Sequence, residues 1–247
     1  MKKLMFVVAA ALCGSLFAEG IASKNVVGYQ TLDNGDQAVM MGCQFVDVSD
    51  GVSGVKVGNV VGEFSDFDLI EVASCDAEGH ISFTAYTYLT EEGSGFPNGW
   101  YDEELSSADE EPISLSAAVW FTGSDSAKSV TISGQVYDRD YTHSFSAPTE
   151  MVCSAFPLPF CPNDIDKVVW AGLTDFDLIE VASCDSEGHV SFAAYTYLTE
   201  EGAGFPDGWY DEELNLAEAV AIGGQGFWLT LANPTSVTLK EISPLAK

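Results

Sequence analysis

Apolar and polar residues alternate with a period of two along most of this chain, and no long stretch carries the 3.6-residue spacing of an amphipathic helix. Val26-Val27-Gly28-Tyr29-Gln30-Thr31-Leu32 reads as a strand and residues 38–46 as its return, with Asp33-Asn34-Gly35-Asp36 as the hairpin turn. Residues 68–75 and 80–90 form a second pair around Asp76-Ala77-Glu78-Gly79, where Gly79 supplies a left-handed position. In its second strand Ile81, Phe83, Ala85, Thr87 and Leu89 fall on one face; His80, Ser82, Thr84, Tyr86 and Tyr88 fall on the other. A Gly-rich loop, residues 91–99, leads to Trp100-Tyr101, and strands at 117–122 and 129–136 close the pattern. One short helix is predicted over residues 163–169, after Pro162 and capped by Asn163.

The same pattern then recurs nearly letter for letter. Residues 66–105 reappear as 175–214, 109 positions on, with five differences: Ala77/Ser186, Ile81/Val190, Thr84/Ala193, Ser94/Ala203 and Asn98/Asp207. The flanks match in pattern only. The reading is all-β, with two tandem copies of an antiparallel, sandwich-like unit of about 110 residues. Residues 1–18 have a basic start and a short apolar run, which predicts a secretory signal cleaved near Ala18. Residues 19–133 and 134–247 are then the two units, with the strand at 130–136 running on into the second and no flexible linker.

The opening Asn25-Val26-Val27-Gly28-Tyr29-Gln30-Thr31, the elements Gly99-Trp100-Tyr101 and Gly208-Trp209-Tyr210, and Gly224-Gln225-Gly226-Phe227-Trp228 before the last strand carry a resemblance. They resemble a family of secreted β-rich bacterial repeat proteins with no established activity. The resemblance implies a fold and export, and no chemistry. The first copy departs from it, with Ser116-Ala117-Ala118-Val119-Trp120 in place of the glycine-rich turn.

Charge narrows the partners. The chain has 38 acidic and nine basic residues; removing 1–18 takes two of the basic ones and leaves a formal charge of −31. Such a field repels nucleic acid and anionic lipid. No later segment is apolar enough to insert in a membrane, so the mature protein is expected outside the cytoplasm as a secreted or surface protein. Export permits disulfides, and repeat symmetry suggests Cys43–Cys75 and Cys153–Cys184, with a local Cys153–Cys161 bridge or unbridged thiols as the alternatives.

Catalytic motifs are absent from the sequence. Carboxylates at Asp66, Asp68 and Glu71 beside Asp102, Glu103 and Glu104 raise glycoside hydrolysis, but chance pairs are expected among so many acids. His80 and His189, each four residues after an aspartate, read as turn residues. Calcium is the one cofactor the composition suggests, with Asp102, Glu103, Asp211 and Glu212 as ligands. The aromatic set is the strongest binding lead: Tyr86, Tyr88, Trp100 and Tyr101, repeated as Tyr195, Tyr197, Trp209 and Tyr210. On an open sheet face such rings stack on sugars; on a covered face they are core. The expected function is a non-catalytic interaction protein binding a glycan or a cell-surface or matrix partner. The alternative is a structural envelope or matrix subunit that assembles through its repeated faces.

Overall fold

A computed structural model describes residues 26–33, 38–49, 51–124, 129–184 and 189–245; the signal segment and the Asn34-Gly35 turn lie outside the described residues. The first unit contains β1 (Val27–Asp33), β2 (Ala38–Gly42), β3 (Val55–Lys56), β4 (Val60–Gly62) and β5 (Leu69–Cys75). It continues with β6 (Ile81–Leu89), β7 (Gly99–Tyr101), β8 (Pro112–Ile113), β9 (Ala118–Thr122) and β10 (Ser129–Gln135). The second contains β11 (Tyr141–Ser144), β12 (Thr149–Cys153), β13 (Val168–Ala171) and β14 (Leu178–Cys184), then β15 (Val190–Leu198), β16 (Gly208–Tyr210), β17 (Gly226–Thr230) and β18 (Thr238–Glu241). Among the described residues there is no α-helix, only single 3-10 turns at Val57–Asn59 and Pro234–Ser236.

Each unit pairs a five-stranded antiparallel sheet with a three-stranded one. The orders are β2-β9-β5-β6-β7 and β1-β10-β4 in the first unit, β12-β17-β14-β15-β16 and β11-β18-β13 in the second. Between the sheets lie Phe45, Ile70, Trp100, Phe121 and Ile132 in one unit, and Phe160, Ile179, Trp209, Phe227 and Leu239 in the other. The outer faces of the two five-stranded sheets then pack on each other through Met40, Ala118, Met151, Cys153 and Ala182, flanked by Ala73, Trp120 and Trp228. The molecule is therefore four sheets deep, with an apolar cluster in each of its three gaps.

That depth explains several departures from the sequence reading. Both faces of a five-stranded sheet carry packed apolar residues, the outer one over part of its area, so an apolar row does not tell which face is the sandwich core. Tyr86 turns inward to the core, whereas Ile81 and Phe83 lie 45 % and 43 % exposed and Phe83 meets Trp228 of the other unit edge-on at 6.4 Å. β1 and β2 are not a hairpin: β1 pairs with β10 and β2 with β9, so the chain crosses between sheets there. β10 pairs with β1 and β4 of the first unit, and residues 136–140 connect it to β11. Residues 162–167 form turns and 168–171 a strand instead of a helix, because the Asn163 side chain binds the backbone of Trp209 and Ala217 rather than capping. In the first copy Ser116 takes the left-handed conformation (φ 67°) that Gly224 takes in the second (φ 83°), and its hydroxyl donates to Cys153 O at 2.6 Å.

Candidate functional site

β7 and β16 each form one edge of a five-stranded sheet, and β4 and β13 each form one edge of a three-stranded one. The side of each sandwich between these edges is open, and Trp100 and Trp209 plug it from within, 2 % and 0 % exposed. The edge strands are capped against further pairing. Trp100 N–H donates to Asp109 Oδ1 (3.1 Å) and its carbonyl accepts from Ala108 N (2.7 Å). In the second unit Asn163, from a different part of the chain, takes over the aspartate's role: its Oδ1 accepts from Trp209 N at 2.9 Å and its Nδ2 donates to Trp209 O at 3.0 Å.

A cleft lies along each capped edge, about 510 Å³ in the first unit and about 420 Å³ in the second. The repeat supplies one wall of both: Tyr88, Gly99 and Trp100, or Tyr197, Gly208 and Trp209. Their floors are aromatic clusters. Phe64 sits 5.0 Å from both Tyr88 and Trp100, and Tyr88 and Trp100 are 5.2 Å apart; in the second unit Trp209 lies 5.4 Å from Tyr197 and 5.5 Å from Trp170. The opposite walls come from diverged sequence and differ in kind. The first carries Lys56, Asn59, Asp109 and Glu110, with the Lys56 ammonium 2.5 Å from Glu110; the second carries Ile165, Val169 and Leu216 beside the single amide of Asn163, and the repeat adds Asn98 to the first rim and Asp207 to the second. Burial and then the Asp109 carboxylate push the Tyr88 phenol up, and burial followed by Asp207, Asp175 and Asp177 does the same to Tyr197, so both remain neutral donors. Trp209 Nε1 is buried without a hydrogen-bond partner among the described residues.

The predicted ligand residues are thus divided. Tyr88, Trp100, Tyr197 and Trp209 meet at the clefts, although the two indoles are floor rather than surface. Tyr86, Tyr101 and Tyr210 are buried and Tyr195 is half-buried against the second core, so the open stacking platform is absent. Tyr101 and Tyr210 anchor the Gly-rich loops instead, donating to Pro97 O (2.9 Å) and Pro206 O (2.8 Å). The proposed calcium ligands do not converge. Asp102 Oδ1 accepts from Glu104 N and Ser106 N, and Asp211 Oδ1 from Glu213 N and Asn215 N, each closing its own turn, while Glu103 and Glu212 point away as exposed residues. Among the described residues no group of three or more histidines, cysteines and carboxylates is placed to hold a metal.

Cysteine pairing is corrected as well: no disulfide joins the described cysteines. β9 stands between β2 and β5, and β17 between β12 and β14, so Cys43–Cys75 and Cys153–Cys184 would each bridge two strand spacings, about 10 Å, beyond a disulfide's reach. Cys43 instead donates to Ile113 O at 3.4 Å, and burial pushes its thiol up to about 11. Cys153 is equivalent to Gly42 rather than to Cys43, since Gly42 faces Ala118 and Cys153 faces Gly226 in the two sheets. His80 is a turn residue, its Nδ1 2.9 Å from Asp76 Oδ2 on an exposed corner.

Sequence reasoning passed over Phe67 and Phe176. Both adopt φ 71° and both project into solvent, 68 % and 73 % exposed. Neighbouring aspartates hold them there. Asp66 Oδ1 accepts from Thr90 N at 2.6 Å, and the fully buried Asp68 accepts from Ser65 N, Ser124 N and Ser124 Oγ; Asp175 and Asp177 repeat the arrangement on Thr199, Thr174 and Ala232. Phe67 N–H in turn donates to the carbonyl of Tyr88, the residue flooring the cleft, at 2.9 Å. The signal was available: an aromatic between two aspartates, unchanged in both copies. Comparison with family models, curated proteins and solved structures finds no match for this chain.

Proposed function

We propose that this is an exported, non-catalytic binding protein whose first-unit cleft takes a carbohydrate. One observation carries the reading: an aromatic floor of Phe64, Tyr88 and Trp100 lies under a rim of an ammonium, two amides and two carboxylates, in a volume that fits one or two pyranose rings. Sugars present apolar ring faces and a periphery of hydroxyls, and that combination asks for rings below and paired donors and acceptors around. The strained Phe67, whose N–H bonds the carbonyl of Tyr88, offers a further exposed ring at no cost in core packing. A role in assembly through repeated faces has less support, because the outer faces of the five-stranded sheets already cover each other.

Binding of the mature protein to an oligosaccharide array, followed by titration calorimetry of the hits, tests the reading. Lys56→Ala with Glu110→Ala removes the rim pair from exposed positions, so affinity is expected to fall about tenfold or more while Tm stays within about 2 °C. A folded protein blank on the array, or affinity unmoved by the double variant, rejects it.

A further inference from the structure

The two units meet about an approximate two-fold axis. Gly42 N donates to Gly224 O at 2.7 Å, and its counterpart Cys153 N donates to Ser116 O at 2.9 Å; Met41 bridges Gln225 as Ala117 bridges Val152. In such an interface a residue near the axis meets its own equivalent. Gly42 accordingly faces Cys153, and Ala118 faces Gly226. The approach is too close for two side chains. A Cβ on Gly42 would overlap the Cβ of Cys153 and stand 2.6 Å from its Sγ; one on Gly226 would overlap the Cβ of Ala118 and stand 2.9 Å from Met40 Cγ. The glycine is supplied by the first unit at one position and by the second at the other. Within each unit the two positions are cross-strand partners, Gly42 with Ala118 and Cys153 with Gly226, in opposite order.

We infer that the outer face of each five-stranded sheet is an interaction surface complementary to the other unit and incompatible with a second copy of itself. Two first units packed this way would set Ala118 against Ala118, and two second units Cys153 against Cys153, each a contact the backbone spacing forbids. The near-identical repeats are therefore not interchangeable modules. One large-for-small exchange at each axial position closes the interface between unlike units and leaves neither face able to pack on a like unit of another chain.

A swap of side chains across the axis in the full-length protein tests this. Gly42→Ala is expected to lower Tm by about 5–10 °C, the range for overpacking a rigid contact, and Cys153→Gly to lower it by less. Gly42→Ala combined with Cys153→Gly moves the side chain to the other unit and should recover most of the loss relative to Cys153→Gly alone. Gly226→Ala with and without Ala118→Gly repeats the cycle at the second position. Should Gly42→Ala alone be insoluble, a soluble double variant supports the inference. Additive losses in both cycles, or a Gly42→Ala protein as stable as the parent, overturn it.

Discussion

At the residue scale the two copies differ most where the second carries polar groups in place of apolar ones. Strand registers align Glu241 with Ile132, His143 with Leu32 and Glu150 with Val39. Glu241 is 3 % exposed; burial pushes its carboxyl up despite hydrogen bonds from Ser154 Oγ (2.5 Å) and Ala155 N (2.8 Å), and His143, Tyr141 and Cys153 lie near enough to feel its charge. A raised carboxyl favours the fold below its unfolded value and loses that contribution as pH rises through its folded value. Glu241→Gln should therefore raise Tm at pH 7, with the gain shrinking toward pH 4. Glu150 has the opposite sign: burial raises it, but His143 and the N–H groups of Ser146 and Ala147 outweigh that and hold it below the usual range. Its contribution is present above the unfolded value and lost as pH falls through the folded one, so Glu150→Gln should lower Tm at pH 7 and matter less in acid. Melting curves of both variants across pH 4–8 check the pair, and equal signs would contradict the assignment. None of this was legible in the sequence, where Glu150 and Glu241 are two among 38 acids and nothing marks them as core positions.

At the scale of single elements, strands and turns were readable because their signals are local. β5 and β6 stand where alternation and the Asp76–Gly79 turn put them. Partners were not readable, since β1 and β2 find theirs in different sheets and far along the chain, β1 on Ser129–Gln135 and β2 on Ala118–Thr122, and an Asn-Gly signal says nothing about which sheet the next strand joins. The Asp-Phe-Asp turn shows how a local motif acts at a distance: Asp68 ties the start of β5 to the segment after β9. Asp68→Ala leaves three donors around a buried site without their acceptor and should cost about 3 kcal/mol, read as a lower midpoint in urea at unchanged slope. Phe67→Gly behaves differently. It relieves about 1 kcal/mol of left-handed strain and returns a similar amount in unfolded-chain entropy, so stability should barely move. Any loss of carbohydrate affinity in that variant then reads the exposed ring itself.

For the whole molecule, the near-identity of two forty-residue segments was legible at once, yet what the duplication builds was not. The near-identical segments make equivalent hairpins and cleft walls; the diverged flanks make the axial Gly/Cys and Ala/Gly contacts and the opposite cleft walls. Selection for a shared wall and for non-identical complementary halves would leave this division of conserved and diverged sequence. The inter-unit contact is a layer of buried methionine and alanine groups flanked by two indoles, and Gln44 Nε2 donating to Phe156 O (2.7 Å) and Tyr141 OH donating to Leu115 O (3.1 Å) stitch its margin. Neither unit can lose its partner without exposing that layer and stranding those groups. Thermal unfolding of the mature chain should accordingly be one transition, with calorimetric and van't Hoff enthalpies equal and the buried Cys43 and Cys153 thiols becoming reactive to a thiol reagent together. Two resolved transitions, or release of Cys43 well before Cys153, would mean that the halves are stable alone and that the four-layer packing is a docking of finished domains rather than part of the fold.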